Sequence, residues 1–417
     1  MGRTAAVYRR LQEQQSRAVE NCLARFANSR ILVVEDNSVV LTLITRFLNH
    51  YGLRQIRPAR NGLEALEIAA EWLPDLIITD LYMPVMDGVE FCRSIRAGRA
   101  LDDVPVLVLT GIENHEERTA VFEAGATDLI SKPVYHLELA GRLQVHLERS
   151  QLIRRLTEYK ERIALELDQA RTMQADMLPD RMLVSEVLET YPVDMASHYQ
   201  PSIGLGGDLW GLRPLCPNRL FVYILDFSGH GVGAAINTFR FQAYYNSLRD
   251  IDTPGQVLNQ LNSFLSGILP VGQFATMFCA IIDFECGELT YSSAGAPPAL
   301  LRPEDGEAGF LPLDGTGFPL GITANADYED KIQGFPPGSS LFLYSDALVE
   351  TPDPPNSVFT YDSLAGFLNG PHAGKTCADR VASVLGKLSE GNVTTFEDDA
   401  TIFCLTYLNR EFGSDDR

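Results

Sequence analysis

Basic residues are scarce in this chain. Its 417 residues include 34 Lys and Arg against 55 Asp and Glu, which gives a formal net charge of −21. Such a charge argues against non-specific binding of nucleic acid and is a poor match to an anionic membrane surface. No apolar run approaches the length of a transmembrane helix, and no apolar segment of the signal-peptide type follows the first arginines. We therefore expect neither nucleic acid nor a membrane among its partners.

Cysteine is also scarce, and several common catalytic patterns are missing. The seven cysteines, an odd number without a CxxC pair, are typical of reduced thiols that fill a core in the cytoplasm. There is no P-loop of the form GxxxxGK[ST], and no Ser–His–Asp or Cys–His arrangement is legible. With 45% hydrophobic residues, the chain is long enough for two or three domains with sizeable cores.

A first segment, residues 1–29, has the pattern of an amphipathic helix. Its apolar residues fall near one face, namely Val7, Leu11, Val19, Leu23 and Phe26. The pattern fits either packing on the next domain or pairing with a second chain.

Residues 30–148 alternate strand and helix patterns, which predicts a parallel sheet with helices on both faces. In such sheets, ligands bind at the carboxyl ends of the strands. Polar residues occupy those ends, namely Glu35, Asp36, Asp80, Thr110 and Lys132. The three carboxylates would repel one another unless a cation lies among them, and Mg²⁺ is the natural occupant. The hydroxyl and the ammonium group are placed to hold phosphoryl oxygens.

The motifs ILVVED, DLIITDLYMPVMDG, VLVLTG and LISKPV resemble those of response-regulator receiver domains, which have a flavodoxin-like α/β fold. The resemblance implies that a sensor histidine kinase phosphorylates Asp80. It also implies two sets of contacts, with Glu35, Asp36 and Asp80 binding Mg²⁺ and Thr110 and Lys132 touching the phosphoryl group. Leu129 departs from the pattern, because receivers usually carry an aromatic residue there whose rotation reports phosphorylation.

From Leu139 to about Leu178 no strand pattern appears, and side chains recur at steps of four and three. The repeating positions are Leu152, Leu156, Tyr159, Ile163, Glu166, Ala170, Met173 and Met177. We call this set the seam, because its period of about 3.5 residues is that of a coiled coil. Glu166 is its one unfavourable member, and Pro179 ends it. Residues 149–180 are predicted to be a helical linker that either forms a parallel homodimer or lies as one amphipathic helix on a domain.

Residues 181–410 show strand-like runs in hairpin succession with separate helical stretches, which predicts an α+β domain built on antiparallel sheets. One apolar run, Leu220 to Leu225, is a predicted buried strand that ends at Asp226. A glycine-rich turn, SGHGVG, leads from it into a predicted helix. A carboxylate at such a corner suits a metal or a phosphate.

Acidic residues follow a strand or a tight glycine turn at four places in this region, namely Asp208, Asp226, Asp346 and Asp398 with Asp399. Carboxylates without His or Cys partners select hard cations such as Mg²⁺ or Mn²⁺. Two such cations that share a carboxylate activate a water for in-line attack on phosphorus.

The motifs GGD, DFSGHG, GFPLGI, PPGSSLFLYSDALVE and DDAT resemble those of the metal-dependent protein phosphatases of type 2C, in the bacterial branch of SpoIIE and RsbU. The resemblance implies a β-sandwich between helical layers, with Asp208 and Asp226 bridging two Mn²⁺ or Mg²⁺ ions. The other implied site residues are Asp346 and Asp398 as ligands of one ion, Gly207 or Phe227 through a backbone carbonyl, and Asp399 and His230 as supporting residues. The implied substrates are phosphoserine or phosphothreonine proteins, usually anti-sigma-factor antagonists.

Three positions depart from this second pattern. Gly211 stands where the family often has a second acid, Ala347 replaces a glycine, and Ala296 replaces a histidine. None of them removes a predicted metal ligand. Because of Gly211, however, this chain lacks the second acid that the family often has outside the set of metal ligands.

The leading interpretation is a response regulator in which aspartyl phosphorylation controls a phosphoprotein phosphatase. The alternative is a receiver joined to an inactive phosphatase-like domain that acts as an adaptor. An adaptor would be expected to have lost metal-site carboxylates, so their retention favours the enzyme. The predicted regions are an N-terminal helix at 1–29, a receiver at 30–148, a linker at 149–180, a phosphatase domain at 181–410 and a tail at 411–417.

Overall fold

The computed structural model describes residues 23–98, 101–111, 115–202, 204–229, 231–304, 309–349, 358–390 and 398–409. His230, residues 1–22 and the tail 411–417 lie outside these ranges. The chain divides into two compact units, Met1–Ile163 and Ala164–Arg417. The boundary between them falls within the predicted linker, residues 149–180. Among the described helices, none combines the length and the apolar composition that a membrane span requires.

The first unit is an alternation of strands and helices. Its strands are β1 (Arg30–Val34), β2 (Gln55–Ala59), β3 (Leu76–Asp80), β4 (Val106–Thr110) and β5 (Asp128–Ser131). Its helices are α1 (Ser38–His50), α2 (Gly62–Trp72), α3 (Gly88–Ala97), α4 (His115–Glu123) and the beginning of α5 (His136–Ala175). The strands form one parallel sheet in the order β2-β1-β3-β4-β5.

Both faces of this sheet are buried, which explains why its strands are apolar without alternation. Ile77 belongs to a core with α2 and α3 on one face, and Ile78 belongs to a core with α1 and α5 on the other. The predicted parallel sheet with helices on both faces is confirmed. Leu23 and Phe26, the last apolar residues of the predicted N-terminal helix, are buried in the second of these cores.

Side-chain caps fix where three of these helices begin. Asn37, Asn61 and Asp87 each accept a backbone N–H from the first turn of α1, α2 and α3. A cap of this kind stabilises a helix by about 1 kcal/mol. Because Asn37 directly follows Glu35 and Asp36, the cap also keeps this acidic pair in the loop between β1 and α1.

Helix α5 spans 40 residues and contains almost all of the seam. Leu152, Leu156 and Tyr159 are 69%, 66% and 63% exposed. The helix ends at Ala175, slightly before the predicted end near residue 178. Met177, the last seam residue, is partly buried against a core of the second unit and so does not continue the exposed face.

The second unit contains two five-stranded sheets. Its strands are β6 (Val193–Gln200), β7 (Leu209–Cys216), β8 (Arg219–Phe227), β9 (Ala275–Asp283), β10 (Glu288–Ala294), β11 (Leu300–Arg302), β12 (Leu311–Pro312), β13 (Lys331–Gly334), β14 (Ser340–Tyr344) and β15 (Ala400–Tyr407). Its further helices are α6 (Arg181–Thr190), α7 (Val232–Ser247), α8 (Pro254–Ser266), α9 (Tyr361–Leu368) and α10 (Cys377–Glu390), with a 3₁₀ turn at Asp346–Leu348. The sheet orders are β13-β10-β9-β8-β7 and β12-β11-β14-β15-β6.

All paired strands of these two sheets are antiparallel, and the sheets pack face to face. Trp210 of one sheet stacks on Phe403 of the other, with ring centroids 5.1 Å apart. Helices α7 and α8 cover the outer face of the first sheet, where Phe241 is buried. Helices α9 and α10 cover the outer face of the second, where Leu364 is buried. The predicted antiparallel sandwich flanked by helices is confirmed.

Gly211 lies opposite Tyr223 in the ladder between β7 and β8. A Cβ atom at position 211 would lie only 2.5 Å from the Cζ atom of Tyr223. The tyrosine ring itself packs against Phe241 and Tyr245, at centroid distances of 5.6 Å and 5.1 Å. An aromatic ring therefore fills the space beside residue 211, which explains why this chain departs from the acid of the family pattern.

We predict that Gly211→Ala lowers the free energy of unfolding of the second unit by about 1–3 kcal/mol, because the added methyl overlaps the Tyr223 ring. Calorimetry of the full chain measures this as a lower transition temperature. In a Tyr223→Ala background the same substitution should cost markedly less, since the clash is then gone.

Gly386→Ala is the matched control for this prediction. Gly386 lies inside α10, and a Cβ atom there meets nothing within 4 Å. It should leave stability unchanged or raise it, by about 0.5–1 kcal/mol. Equal stability of wild type and Gly211→Ala would contradict the packing explanation.

Candidate metal centres

Three carboxylates meet at the carboxyl ends of β1 and β3 in the first unit. Glu35, Asp36 and Asp80 each offer a ligand atom, and these atoms all lie within 4.8 Å of one another. Lys132 reaches the same place, with its Nζ atom 2.8 Å from Oδ1 of Asp80 and 3.2 Å from Oε2 of Glu35. The residues predicted to bind Mg²⁺ are thus brought together by the fold.

Burial controls the charges of this group. Glu35 is only 1% exposed, and this burial, together with the charge of Asp80, raises its pKa, while Lys132 acts in the opposite direction. For Lys132, burial lowers the pKa, but the hydrogen bond and charge of Asp80 outweigh it, so the pKa is raised overall. Lys132 therefore stays cationic. Three carboxylates beside one ammonium group still leave an excess of negative charge, which fits a divalent cation.

Thr110 and Leu129 complete the predicted receiver residues. Thr110 ends β4 and is buried, and its carbonyl accepts the backbone N–H of Lys132 at 2.8 Å. This bond places the hydroxyl and the lysine at the same edge of the sheet. Leu129 is 4% exposed and belongs to the core that contains α2 and α3. A packed aliphatic residue thus occupies the position where receivers usually have a rotating aromatic ring.

The second unit collects four predicted ligands from both of its sheets. Asp208 directly precedes β7 and Asp226 lies in β8, and the neighbouring pair Leu209 and Leu225 sets their register. The side chains of Asp208 and Asp226 lie within hydrogen-bonding reach of each other. From the other sheet, Asp346 follows β14 and Asp398 precedes β15.

Electrostatics set this group apart from the receiver group. Burial raises the pKa of Asp208 well above its usual range, and the charge of Asp399 adds to this, against a hydrogen bond from Thr401. Burial also raises the pKa of Asp226, as do the charges of Asp208 and Asp346. Two carboxyl groups in hydrogen-bond contact cannot both be ionised unless a cation offsets their repulsion, so the set fits hard cations. It is looser than the receiver group, which in the described ranges is the one set of three or more whose ligand atoms all lie within 4.8 Å.

Two residues of the DDAT motif hold the first of these ligands. The Oγ1 atom of Thr401 donates to Oδ2 of Asp208 at 2.6 Å. Asp399 accepts the backbone N–H groups of Ser202 at 2.8 Å and Gly207 at 2.5 Å. These bonds oppose the rise in the pKa of Asp399 that burial causes. Its carboxylate therefore fixes the glycine loop before Asp208 and does not point at the ligand group as a free acid.

The two candidate backbone carbonyls lie against each other. The carbonyl of Gly207 accepts the N–H of Phe227 at 3.2 Å, and a Cβ atom on Gly207 would lie 2.7 Å from the carbonyl oxygen of Phe227. Glycine is needed there because the two backbones approach so closely. Ala347 and Ala296, the other departures from the family pattern, are both buried in apolar cores. They are packing residues in this chain.

Sequence reasoning missed two residues that act on this site. Thr401 lies two residues after Asp399, so the motif DDAT was the available signal. Gln174 lies in the segment MQADMLP, 2% exposed, and bonds to both backbone groups of Gly206. No local pattern reveals that contact, because 32 residues separate the partners.

Two family models match separate parts of the chain. Residues 31–144 match the response regulator receiver domain, and residues 217–408 match Stage II sporulation protein E (SpoIIE). The first match covers the parallel sheet with its three carboxylates. The second covers most of the antiparallel sandwich.

Several individual proteins are similar to part of the chain. The response regulator MprA of Mycobacterium ulcerans (strain Agy99) is 41% identical over 123 residues, which are 30% of this chain and 52% of that protein. The chain thus spans about half the length of the curated relatives it matches. A signal receiver domain of a histidine kinase from Syntrophus aciditrophicus is 33% identical over 29% of this chain and 90% of that chain, with a TM-score of 0.28.

The second unit has a solved counterpart in fold. The SiaA-PP2C domain of Pseudomonas aeruginosa covers 60% of this chain and 98% of its own, at 21% identity and a TM-score of 0.51. This similarity establishes the phosphatase fold. The chain therefore contains a receiver domain of the response regulator family, joined to a region that matches the SpoIIE family model.

Proposed function

We propose that this chain is a response regulator in which phosphorylation of Asp80 controls the hydrolysis of phosphoserine or phosphothreonine in a partner protein. The observation that carries the proposal is the presence of two separate carboxylate groups in one chain, one in each domain. A sensor histidine kinase supplies the phosphoryl group. An anti-sigma-factor antagonist is the substrate class that the family resemblance suggests.

In the receiver, Asp80 is the phosphoryl acceptor. Its Oδ1 atom accepts the N–H of Leu81 at 2.8 Å and faces the Lys132 ammonium group at 2.8 Å. Both contacts hold the same oxygen, which leaves Oδ2 to take the phosphoryl group. Glu35, Asp36 and Asp80 would hold Mg²⁺, which would supply positive charge beside the phosphoryl oxygens. Thr110 and Lys132 then contact those oxygens.

In the phosphatase domain, the chain contributes ligands and the means of holding them in place. Asp208, Asp226, Asp346 and Asp398 would hold Mn²⁺ or Mg²⁺, and the carbonyl of Gly207 or Phe227 would add a further ligand. When bound, the ions supply an activated water for attack on phosphorus. The hydroxyl of Thr401 holds the carboxylate of Asp208, and the carboxylate of Asp399 fixes the loop before it.

The adaptor remains a second candidate, and one observation favours it. Related phosphatases often have a second acid at the position of Gly211, and in this chain the ring of Tyr223 fills the space beside that position. A chain that responds to a phosphodonor and binds a partner without hydrolysing phosphoprotein would be an adaptor. The next experiment separates the two functions.

The first prediction from the proposed function concerns the bridging carboxylate. Asp226→Asn should lower Mn²⁺-dependent turnover of a phosphoserine protein by about 100-fold or more, the scale of losing a main electrostatic contributor. The physical reason is that an amide offers no charge between two dications. Phosphate release under saturating Mn²⁺ measures it.

Asp250→Asn is the matched control, since Asp250 is exposed and lies beyond the end of α7. It should keep wild-type turnover. Turnover of Asp226→Asn at the wild-type rate would refute the assignment of the metal site. If the wild type shows no Mn²⁺-dependent hydrolysis, the adaptor is the function that this experiment supports.

The second prediction concerns the receiver. With Mg²⁺ and acetyl phosphate, the wild type should gain one phosphoryl group, and Asp80→Asn should gain none, because no nucleophilic carboxylate remains at the end of β3. Intact-protein mass spectrometry measures the gain. Asp103→Asn, at an exposed position before β4, should behave as wild type. Phosphoryl uptake by Asp80→Asn would place the acceptor elsewhere.

The third prediction concerns the exposed seam of α5. We propose that it pairs two chains in parallel, since a row of apolar side chains on one helix face is the contact surface of a coiled coil. Ile163→Lys places a charge inside such a seam and should convert dimers into monomers. Analytical ultracentrifugation measures the mass.

Ala164→Lys adds the same charge at an exposed position next to the seam and should remain dimeric. A wild type that sediments as a monomer, both with and without acetyl phosphate, would rule out the homodimer. In that case α5 acts as a single helix.

A further inference from the structure

The last turn of α5 reaches into the phosphatase domain through one buried amide. Gln174 is 2% exposed, and its Nε2 atom donates to the carbonyl of Gly206 at 2.6 Å and to Oγ1 of Thr238 at 3.1 Å. Its Oε1 atom accepts the N–H of Gly206 at 3.0 Å. Both hydrogens of the amide and its oxygen are therefore engaged, and a buried polar group satisfied in this way has a fixed position.

The loop that Gln174 holds is the loop that presents Asp208. The backbone of Gly206 is hydrogen-bonded to Gln174, and the next residue, Gly207, donates its N–H to Asp399 at 2.5 Å. Asp208 follows directly. Gln174 and Asp399 thus fix Gly206 and Gly207, the two residues before the metal ligand. Loss of either set of hydrogen bonds frees the backbone on the N-terminal side of Asp208.

The same amide also touches the helix that follows the second ligand. Thr238 lies in α7, which begins a few residues after Asp226, and it is completely buried. Its hydroxyl donates to the carbonyl of Ala235 at 2.7 Å and accepts from Gln174 at 3.1 Å. Gln174 therefore bonds to the chain segments of both bridging carboxylates, before Asp208 and after Asp226.

Arg171 makes a second contact one turn earlier on the same face of α5. Its Nε atom donates to the carbonyl of Gly204 at 2.8 Å. Gly204 has a φ of +91°, and the guanidinium group occupies the space where a side chain would stand. The end of α5 is thus attached to the loop 204–206 at two points.

We propose that Gln174 is a positioning residue that couples the final turn of α5 to the metal centre of the phosphatase domain. The proposal rests on the proposed function and deepens it by naming the contact through which that centre is controlled. Because α5 is one helix from His136 to Ala175, a rotation or shift imposed at its beginning is carried to its end. Hydrogen bonds weaken steeply with distance and misalignment, so a small displacement of Gln174 releases Gly206 and Thr238.

The test compares Gln174→Ala with Gln169→Ala in the full chain. Gln169 is an exposed glutamine on the same helix and is the matched control. Gln174→Ala should weaken Mn²⁺ binding to the phosphatase domain by about 10-fold or more, as removal of a group that orients metal ligands does. Calorimetric titration with Mn²⁺, in an Asp80→Asn background that weakens the receiver site, measures this without any turnover. Gln169→Ala should match the parent.

A second measurement separates coupling from a purely structural role. Phosphatase activity is measured with and without acetyl phosphate in the chain that keeps Asp80. Gln174→Ala should abolish the difference between the two conditions, whereas simple loss of folded protein lowers both in proportion. Gln174→Glu keeps the acceptor for the N–H of Gly206 but loses both donors, so it should fall between wild type and alanine in Mn²⁺ affinity. It also serves if the alanine variant does not fold.

Wild-type Mn²⁺ affinity together with an intact response to acetyl phosphate in either Gln174 variant overturns the proposal. If the wild type shows no hydrolysis at all, the proposed function fails, and the Mn²⁺ titration alone decides this inference. In that case weakened binding in Gln174→Ala supports it, and unchanged binding overturns it.

Discussion

Asp208 and Asp226 place two carboxyl groups in hydrogen-bond contact inside a protein, which is unfavourable unless a proton or a cation offsets the repulsion. In the part of the chain that the structure describes, neither is paired with a lysine or an arginine. Their neighbours are neutral donors and further carboxylates, with Thr401 as the closest donor at 2.6 Å. The arrangement around this pair therefore fits a bound cation. The loops and sheets around it serve to keep the two groups together.

The receiver solves the same problem in a different way. Glu35 and Asp80 are also buried, but Lys132 provides a permanent cation 3.2 Å and 2.8 Å from them. This arrangement holds the carboxylates in place before any metal binds and leaves part of their charge uncompensated. Asp208 and Asp226 have only hydrogen bonds for that purpose.

Helix α5 begins in the unit that contains the receiver group and ends in the unit that contains Asp208 and Asp226. Its middle presents Leu152, Leu156 and Tyr159 to solvent, while its last turn carries a glutamine that is completely satisfied by the phosphatase domain. The same helix therefore has an apolar face in water at one place and a buried polar anchor at another. The anchor acts on a glycine loop, and glycine resists displacement less than any other residue.

The sequence by itself determined the two fold classes and the residue types of both sites. The run from Leu220 to Asp226 was predicted as a buried strand, and β8 (Arg219–Phe227) extends it by one residue at each end, because a continuous apolar run is a local pattern. Strand β6 was not predicted, since its residues, VDMASHYQ, are mostly half-buried and lack a clear alternation. Helix α5 was predicted, but the partial burial of Met177 in a core of the second unit was not, since periodicity does not show where a core begins.

Only the tertiary structure decided how the site residues are held. Thr401 and Asp208 are 193 residues apart, and Gln174 and Gly206 are 32 apart, so no local pattern links them. The reason for Gly211 likewise lies on another strand, in the ring of Tyr223. Hydrophobic periodicity fixes which side of an element is buried, but hydrogen bonds and close contacts form only after two sheets and a helix end have packed together. Local chemistry therefore named the ligands, and packing of distant segments supplied the groups that position them.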